Sequence, residues 1–210
     1  QGFDGLNTWN ASVTVTITNI NDTAPVAVAD VYTGTEDMIL LVSSTSGVLA
    51  NDSDADEDSF VAVLSSTTTS GVLALSWDGS YTYDPVVNRC GVDNFSYYAD
   101  DGVFTSSTTT VTINVVCVND DPVIDASSGN VDENVATGTL VATLSWSDAD
   151  GDVIVYTIVS GNTDGIFGFS GDQLVVINTA NLDYESATGY VLDIEGSDGN
   201  GGTGTTTVTI

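Results

Sequence analysis

Lysine and histidine are both missing from this 210-residue chain, and arginine occurs once, at Arg89. Against that single basic residue stand 30 Asp and Glu, a formal net charge of −29. Nucleic acid and anionic membrane are thereby excluded as partners, because phosphate binding runs on Lys and Arg. Without histidine, neither a Ser-His-Asp triad nor a His-ligated zinc site can be assembled. Paired carboxylates could in principle hydrolyse a glycoside. Here they sit in loop and linker patterns that ligation explains better, so no enzyme is expected. Long apolar runs are missing too: a stretch such as MILLV at Met38–Val42 is far short of a bilayer span, and direct membrane insertion is not expected. No signal peptide stands at the front, which reads as an internal excerpt or a processed product. Two cysteines, Cys90 and Cys117, are too few for a disulfide scaffold but enough for one bridge.

What is present is apolar enough to fold. A hydrophobic fraction of 41% supports real cores and argues against intrinsic disorder. Adaptation to high salt would account for a scatter of acidic residues, but these are clustered. SDADED begins at Ser53 and SDADGD at Ser147, 94 positions later. The tetrad TVTI ends at Ile17, Ile113 and Ile210, spacings of 96 and 97 residues. The period predicts two domains of about a hundred residues, plus one extra strand at the front. TVTI, SYTYD and VIVYTIV alternate apolar and polar residues, the signature of half-buried strands, and Gly, Asn, Asp and Ser clusters punctuate them.

Seven strands are expected in the first domain, near 26–33, 37–42, 59–65, 71–76, 80–83, 94–99 and 107–116. Seven more are expected in the second, near 123–125, 138–144, 153–159, 165–169, 173–177, 190–196 and 204–210. The fold class is all-β: two tandem seven-stranded Greek-key sandwiches arranged end to end. The divisions fall at 1–18 (last strand of a preceding repeat), 19–25 (linker), 26–117 (first domain), 118–122 (linker) and 123–210 (second domain). Trp77 and Trp146 are expected to pack in the core or against turns rather than to stack on sugars.

The second domain carries DENVATGTLVATLSWSDADGD, then NLDYES, then GSDGNGG. In order and spacing these resemble the calcium motifs of cadherin repeats, and the linkers NINDTAP and VNDDP are similar to the Asn-Asp linkers of that family. The likeness covers essentially all of residues 122–210. The first domain, through GVLANDSDAD, DGSYTYDP and DNFSYYADDG, resembles the bacterial cadherin-like domains of large surface adhesins. Calcium takes six to eight oxygen ligands, more than one loop supplies.

The resemblance implies calcium at the junction of the two domains, bound by Asn119 (through its carbonyl), Asp120, Asp148, Asp150 and Asp198, with Glu36 reaching in from the first domain. At the front, Asn21, Asp22, Asp54, Asp56 and Asp101 form the equivalent half-site. At the back, Glu133, Asp183 and Glu185 await a following linker. Two departures from the family pattern stand out. The first domain has no Leu-Asp-x-Glu, so either Asp84 or Asp93 substitutes or the junction binds fewer ions. The Asn that follows Asp-x-Asp in the family is replaced, with Asp58 and Asp152 as stand-ins.

Cys90 falls in the loop between the fifth and sixth strands of the first domain, and Cys117 ends the seventh. In a sandwich with its termini at opposite ends both lie at the base, which predicts a Cys90–Cys117 disulfide and an oxidising, extracellular or cell-surface setting. The function expected is that of a secreted, calcium-rigidified stalk or extracellular fibre. Its partners are neighbouring repeats, copies of the same protein, or glycans and other cell surfaces. The alternative is a carbohydrate-binding accessory module of a secreted enzyme.

Overall fold

The computed structural model describes residues 2–3, 8–9 and 12–210. The chain divides into two compact units, Gln1–Val86 with Gly91–Val115, and Val87–Cys90 with Val116–Ile210. At the front, Gly2–Phe3 (β1) and Thr8–Trp9 (β2) pair as a short antiparallel ladder. The extra strand expected over residues 4–17 falls partly outside the described residues. From residue 12 to 20 the chain is assigned to no strand, and Val13, Val15 and Ile17 are exposed.

The first unit holds β3 (Asp30–Thr35), β4 (Leu40–Val42), β5 (Val61–Ser66), β6 (Gly71–Leu75), β7 (Tyr81–Pro85), β8 (Gly91–Asp100) and β9 (Thr109–Val116). One sheet runs β3-β9-β8-β5 and the other β4-β7-β6. Period-two alternation buries Val111, Ile113 and Val115 of β9 and Tyr81 and Tyr83 of β7, while Thr82 between the tyrosines is exposed and Thr112 and Asn114 are half-buried. Phe95, Tyr97 and Ala99 of β8 complete the core, with the Phe95 ring 5.4 Å from that of Tyr81. Each such aromatic or branched side chain contributes about 1.5–3 kcal/mol by leaving water. Between β6 and β7 the chain reverses through Asp78-Gly79, where Gly79 takes φ +82° and Asp78 Oδ1 accepts the Ser80 amide at 3.1 Å. Trp77 stands at this turn with its side chain 72% exposed, so it contributes little to the core.

Two polar groups inside this unit are structural. The Tyr97 hydroxyl donates to the Val48 carbonyl at 2.5 Å and lies 2.9 Å from Asp52 Oδ2, while Asp52 Oδ1 accepts the Val28 amide at 2.8 Å. Asp30 belongs to the same cluster. Burial, and then the nearby Asp52 charge, push its carboxyl up to about 6, although bonds to Asn51 and Tyr97 oppose the shift. Asp93 is 4% exposed and accepts the amides of Thr69 and Ser70, its neighbour Asn94's amide and the Tyr83 hydroxyl. Burial pushes its carboxyl up, but these bonds outweigh that and hold it below the usual range.

The second unit is built from β10 (Val123–Ile124), β11 (Ser127–Ser128), β12 (Leu140–Thr143), β13 (Trp146–Ser147), β14 (Val155–Ser160), β15 (Phe167–Ser170), β16 (Gln173–Val176), β17 (Val191–Ser197) and β18 (Thr203–Thr209). Its sheets run β11-β18-β17-β14 and β12-β16-β15, with β10 paired to β13. The first strand thus divides: β10 is antiparallel to β13, and β11 runs parallel to β18. The strand expected over 138–144 is β12, whose pairing ends at Thr143, and a further short strand, β13, follows at Trp146, which is 38% exposed. Phe167, Leu174, Val176, Leu192, Ile194 and Val208 fill the core, each at most 1% exposed. Both units carry a register shift at matching strands, Leu64/Ser66 on β5 and Ile158/Ser160 on β14. No helix among the described residues is long and apolar enough to cross a membrane.

Candidate metal centres

In each unit an acidic loop lies at the entry to a sheet strand, Ser53–Asp58 before β5 and Ser147–Asp152 before β14. The first Asp of each loop folds it locally. Asp54 Oδ1 accepts the amides of Asp56 at 2.8 Å and Asp58 at 3.3 Å. Asp148 Oδ1 accepts the amide of Asp152 at 3.0 Å. Positive φ at Glu57 and Gly151 lets each loop close. Three carboxylates are thereby gathered. Asp54, Asp56 and Asp58 each offer an oxygen within 4.8 Å of the other two, and so do Asp148, Asp150 and Asp152.

Each loop also holds the linker that precedes it, and the geometry repeats. Asp56 Oδ2 accepts the amides of Asp22 at 3.0 Å and Thr23 at 2.7 Å, and Asn19 Nδ2 donates to the Asp56 carbonyl. Asp150 Oδ2 accepts the amide of Asp120 at 2.8 Å. The Asp-Gly turns close the other side. Asp101 Oδ1 accepts the amides of Val103 and Phe104, which with a bond from Asn21 hold its carboxyl below the usual range. Asp198, 7% exposed, takes Asn119 Nδ2 at 2.7 Å and the amides of Asn200, Gly201 and Gly202. The Asn119 bond is the main reason its carboxyl is held low.

Like charges this close repel, and one arginine cannot neutralise them. Burial, together with Asp54, Asp56 and Asp101, raises the Asp58 carboxyl. Most of the buried side-chain oxygens without a protein partner lie here, Asn21 Oδ1, Asp54 Oδ2, Asp58 Oδ2 and Asp101 Oδ2 in the first unit and Asp148 Oδ2 in the second, the others being Asp30 Oδ2 and the Tyr81 and Tyr156 hydroxyls. Buried acceptors are normally paired, so each such orphan calls for an explanation. The donor set is entirely oxygen, since no histidine exists and both cysteines form a disulfide. Oxygen-only ligation by several carboxylates fits a hard cation such as calcium.

A third group, Glu133, Asp183 and Glu185, also places one oxygen each within 4.8 Å, but all three are exposed. Glu133 Oε2 accepts the Tyr184 amide at 3.2 Å, and Asp183 is held low chiefly by Ser186, whose hydroxyl donates to it at 2.7 Å.

The sequence-selected residues therefore fall as follows. Asp54 and Asp56 cluster, with Asn21 and Asp101 beside them and Asp22 tied in through its amide. Asn119, Asp120, Asp148, Asp150 and Asp198 are joined in the second unit, and Glu36 lies buried just after β3 in the first. Asp93 is no stand-in ligand, because Thr69, Ser70, Asn94 and Tyr83 occupy its oxygens. Asp84 is an exposed residue of β7 paired with Val72. Three residues outside the core selection take part. Asp58 and Asp152 complete the two triads, and Asn200 Nδ2 donates to Asp152 Oδ2 at 2.7 Å. The Asn in GSDGNGG was the available signal for the last.

Repeated sandwiches, each with an acidic loop bonded to its own leading linker, define a class: tandem β-sandwich repeats. Residues 21–116 match the bacterial cadherin-like domain and residues 127–210 match the cadherin domain. The chain is a tandem of these two cadherin-type repeats, which are modules of cell-surface adhesion proteins. It is 29% identical over 206 residues to human Protocadherin Fat 1, covering 90% of this chain and 4% of that protein. To human Cadherin EGF LAG seven-pass G-type receptor 1 it is 39% identical over 101 residues, 45% of this chain and 3% of that protein. The chain thus spans a small fraction of these relatives. Among solved structures, human Protocadherin-24 EC1-2 superposes with a TM-score of 0.66 at 14% identity, covering 89% of this chain and 99% of that one. Drosophila N-cadherin EC1-4 gives 0.63 at 17% identity, covering 89% and 48%. These matches do not favour a carbohydrate-binding accessory module.

Proposed function

We propose that this chain is part of a secreted adhesin stalk or extracellular fibre in which calcium orders the linker between successive repeats. The carrying observation is the set of orphaned buried oxygens on Asn21, Asp54, Asp58, Asp101 and Asp148, beside linkers already bonded to the acidic loops. Calcium would supply the positive charge that the chain lacks. Asp54, Asp56, Asp58, Asp101 and Asn21 would hold it in the first unit. Asp148, Asp150, Asp152, Asp198 and the linker residues Asn119 and Asp120 would hold it in the second. Glu133, Asp183 and Glu185 form the third acidic group in this reading. The protein's own part is to prefold the loops and fix the linker amides, so that binding orders few additional residues. Neighbouring repeats and copies of the same protein are the partners assigned.

The front segment belongs to the same reading as the last strand of a preceding repeat. In β9 and β18 the tetrad TVTI buries Val111, Ile113 and Val208 completely, whereas Val15 and Ile17 of the front copy are 79% and 91% exposed. A strand with one apolar face is a partner for a sheet edge. The test of the function is calorimetric titration with calcium, paired with melting curves. A ligand present at a hundred times its Kd, and bound only by the folded form, stabilises it by about 2.7 kcal/mol. Absence of binding heat and melting curves unmoved by a chelator would overturn the proposal.

A further inference from the structure

The Cys90–Cys117 disulfide lies outside the acidic loops, with its Cα atoms 4.9 Å apart. It sits just beyond the last ladder pair of β8 and β9, Gly91 with Val115. From there to β10 at Val123 the chain forms no regular strand, so no sheet ladder places the intervening residues. Those residues include the linker contacts: Asn119 to Asp198, the Asp120 amide to Asp150, and Asp121 Oδ1, which accepts the Thr203 amide at 3.1 Å. The other linker differs in a telling way. Three residues (Thr18, Asn19, Ile20) separate Ile17 from Asn21, whereas five (Asn114 to Val118) separate Ile113 from Asn119. Only the longer connection carries a cysteine.

We propose that Cys90 and Cys117 are positioning residues for the second linker. Their bond fixes the start of the longer connection and presents Asn119 and Asp120 to Asp198 and Asp150 before any ion arrives. The inference rests on the calcium reading of the Asp148–Asp152 loop. A segment that is already anchored loses less backbone freedom on binding, and affinity rises accordingly. Release of a single residue's backbone changes an equilibrium by about tenfold.

The test compares the oxidised protein with the Cys90→Ser/Cys117→Ser double variant, by calcium calorimetry and by amide hydrogen exchange in chelator. Asp54→Asn and Asp148→Asn backgrounds assign the two sites. The expected result is second-unit affinity weakened about tenfold, first-unit affinity unchanged, and faster exchange at Asp120 and Thr203 but not at Val111 or Ile113. Unchanged affinity and exchange overturn the proposal. So does equal weakening at both sites with faster exchange throughout β8 and β9, which marks general loosening. If the oxidised protein binds no calcium, the calcium reading falls, and exchange at Asp120 alone decides whether the bond holds the linker.

Discussion

Asp148→Asn should reverse its effect on stability according to whether calcium is present. Asparagine keeps the Oδ1 acceptor that receives the Asp152 amide, so the loop retains its fold. It removes one charge from a triad whose oxygens lie within 4.8 Å of one another. At that distance two unit charges in water repel by about 0.9 kcal/mol, and physiological salt roughly halves this. Relief from Asp150 and Asp152 together is then about 1 kcal/mol. In chelator the variant should therefore melt about 4–8 °C above the parent in the second unit. In saturating calcium the repulsion is already neutralised, and the lost ligand governs. A tenfold to hundredfold weaker site removes about 1.4–2.7 kcal/mol of linked stabilisation, which puts the variant below the parent. Differential scanning calorimetry in both buffers is the assay. A variant more stable in both would mean a merely solvated acidic loop. One less stable in both would mean that the charge itself supports the fold without an ion.

A Cβ at Gly202 would lie 2.2 Å from Asp198 Oδ2 and 2.9 Å from Asn119 Nδ2. Gly202→Ala should thus break that bond and weaken second-unit calcium binding about tenfold, leaving the first unit unchanged in the same titration. Asp30 binds its proton up to about pH 6 in the folded unit, against an ordinary value of 3.8. Stability of the first unit in chelator should fall as pH rises across that window, because the folded form binds more protons there. Asp30→Asn should flatten the fall and raise the melting temperature at pH 7; an unaltered slope rejects this assignment. Ile113→Ala should cost about 2–5 kcal/mol by denaturant melting. Ile17→Ala should stay within about 0.5 kcal/mol, and a large loss there would place Ile17 in a core of this chain.

Much of this was legible because period-two patterns and a near-hundred-residue repeat are direct imprints of paired strands. TVTI announced β9 and β18, and the paired Asp-x-Asp loops announced the triads. Cys90 and Cys117 were placed by strand order alone. What escaped depended on contacts distant in sequence. Nothing in GVDN says that Asp93 points inward to Tyr83 and to the amides of Thr69 and Ser70, so it read as a spare ligand. The short strand β13 was hidden because alternation records which face a residue takes, not which neighbour its backbone bonds. TVTI at the front carries the same letters as its two buried copies. Its exposure is set by what lies beside it, which a local pattern cannot encode.

Each linker is bonded to the repeat that follows it: Asp22 to Asp56, and Asp120 to Asp150. The natural cut point in such an array is therefore the end of a TVTI strand rather than the start of the next sheet. A gene that gained or lost sequence in steps of that cassette would keep every linker matched to its own acidic loop. A rearrangement that cut between linker and loop would strand carboxylates without their amide donors. Surviving breakpoints should then fall past the strand's last residue, and at β9 (Thr109–Val116) beyond Cys117, so that its bond to Cys90 is kept.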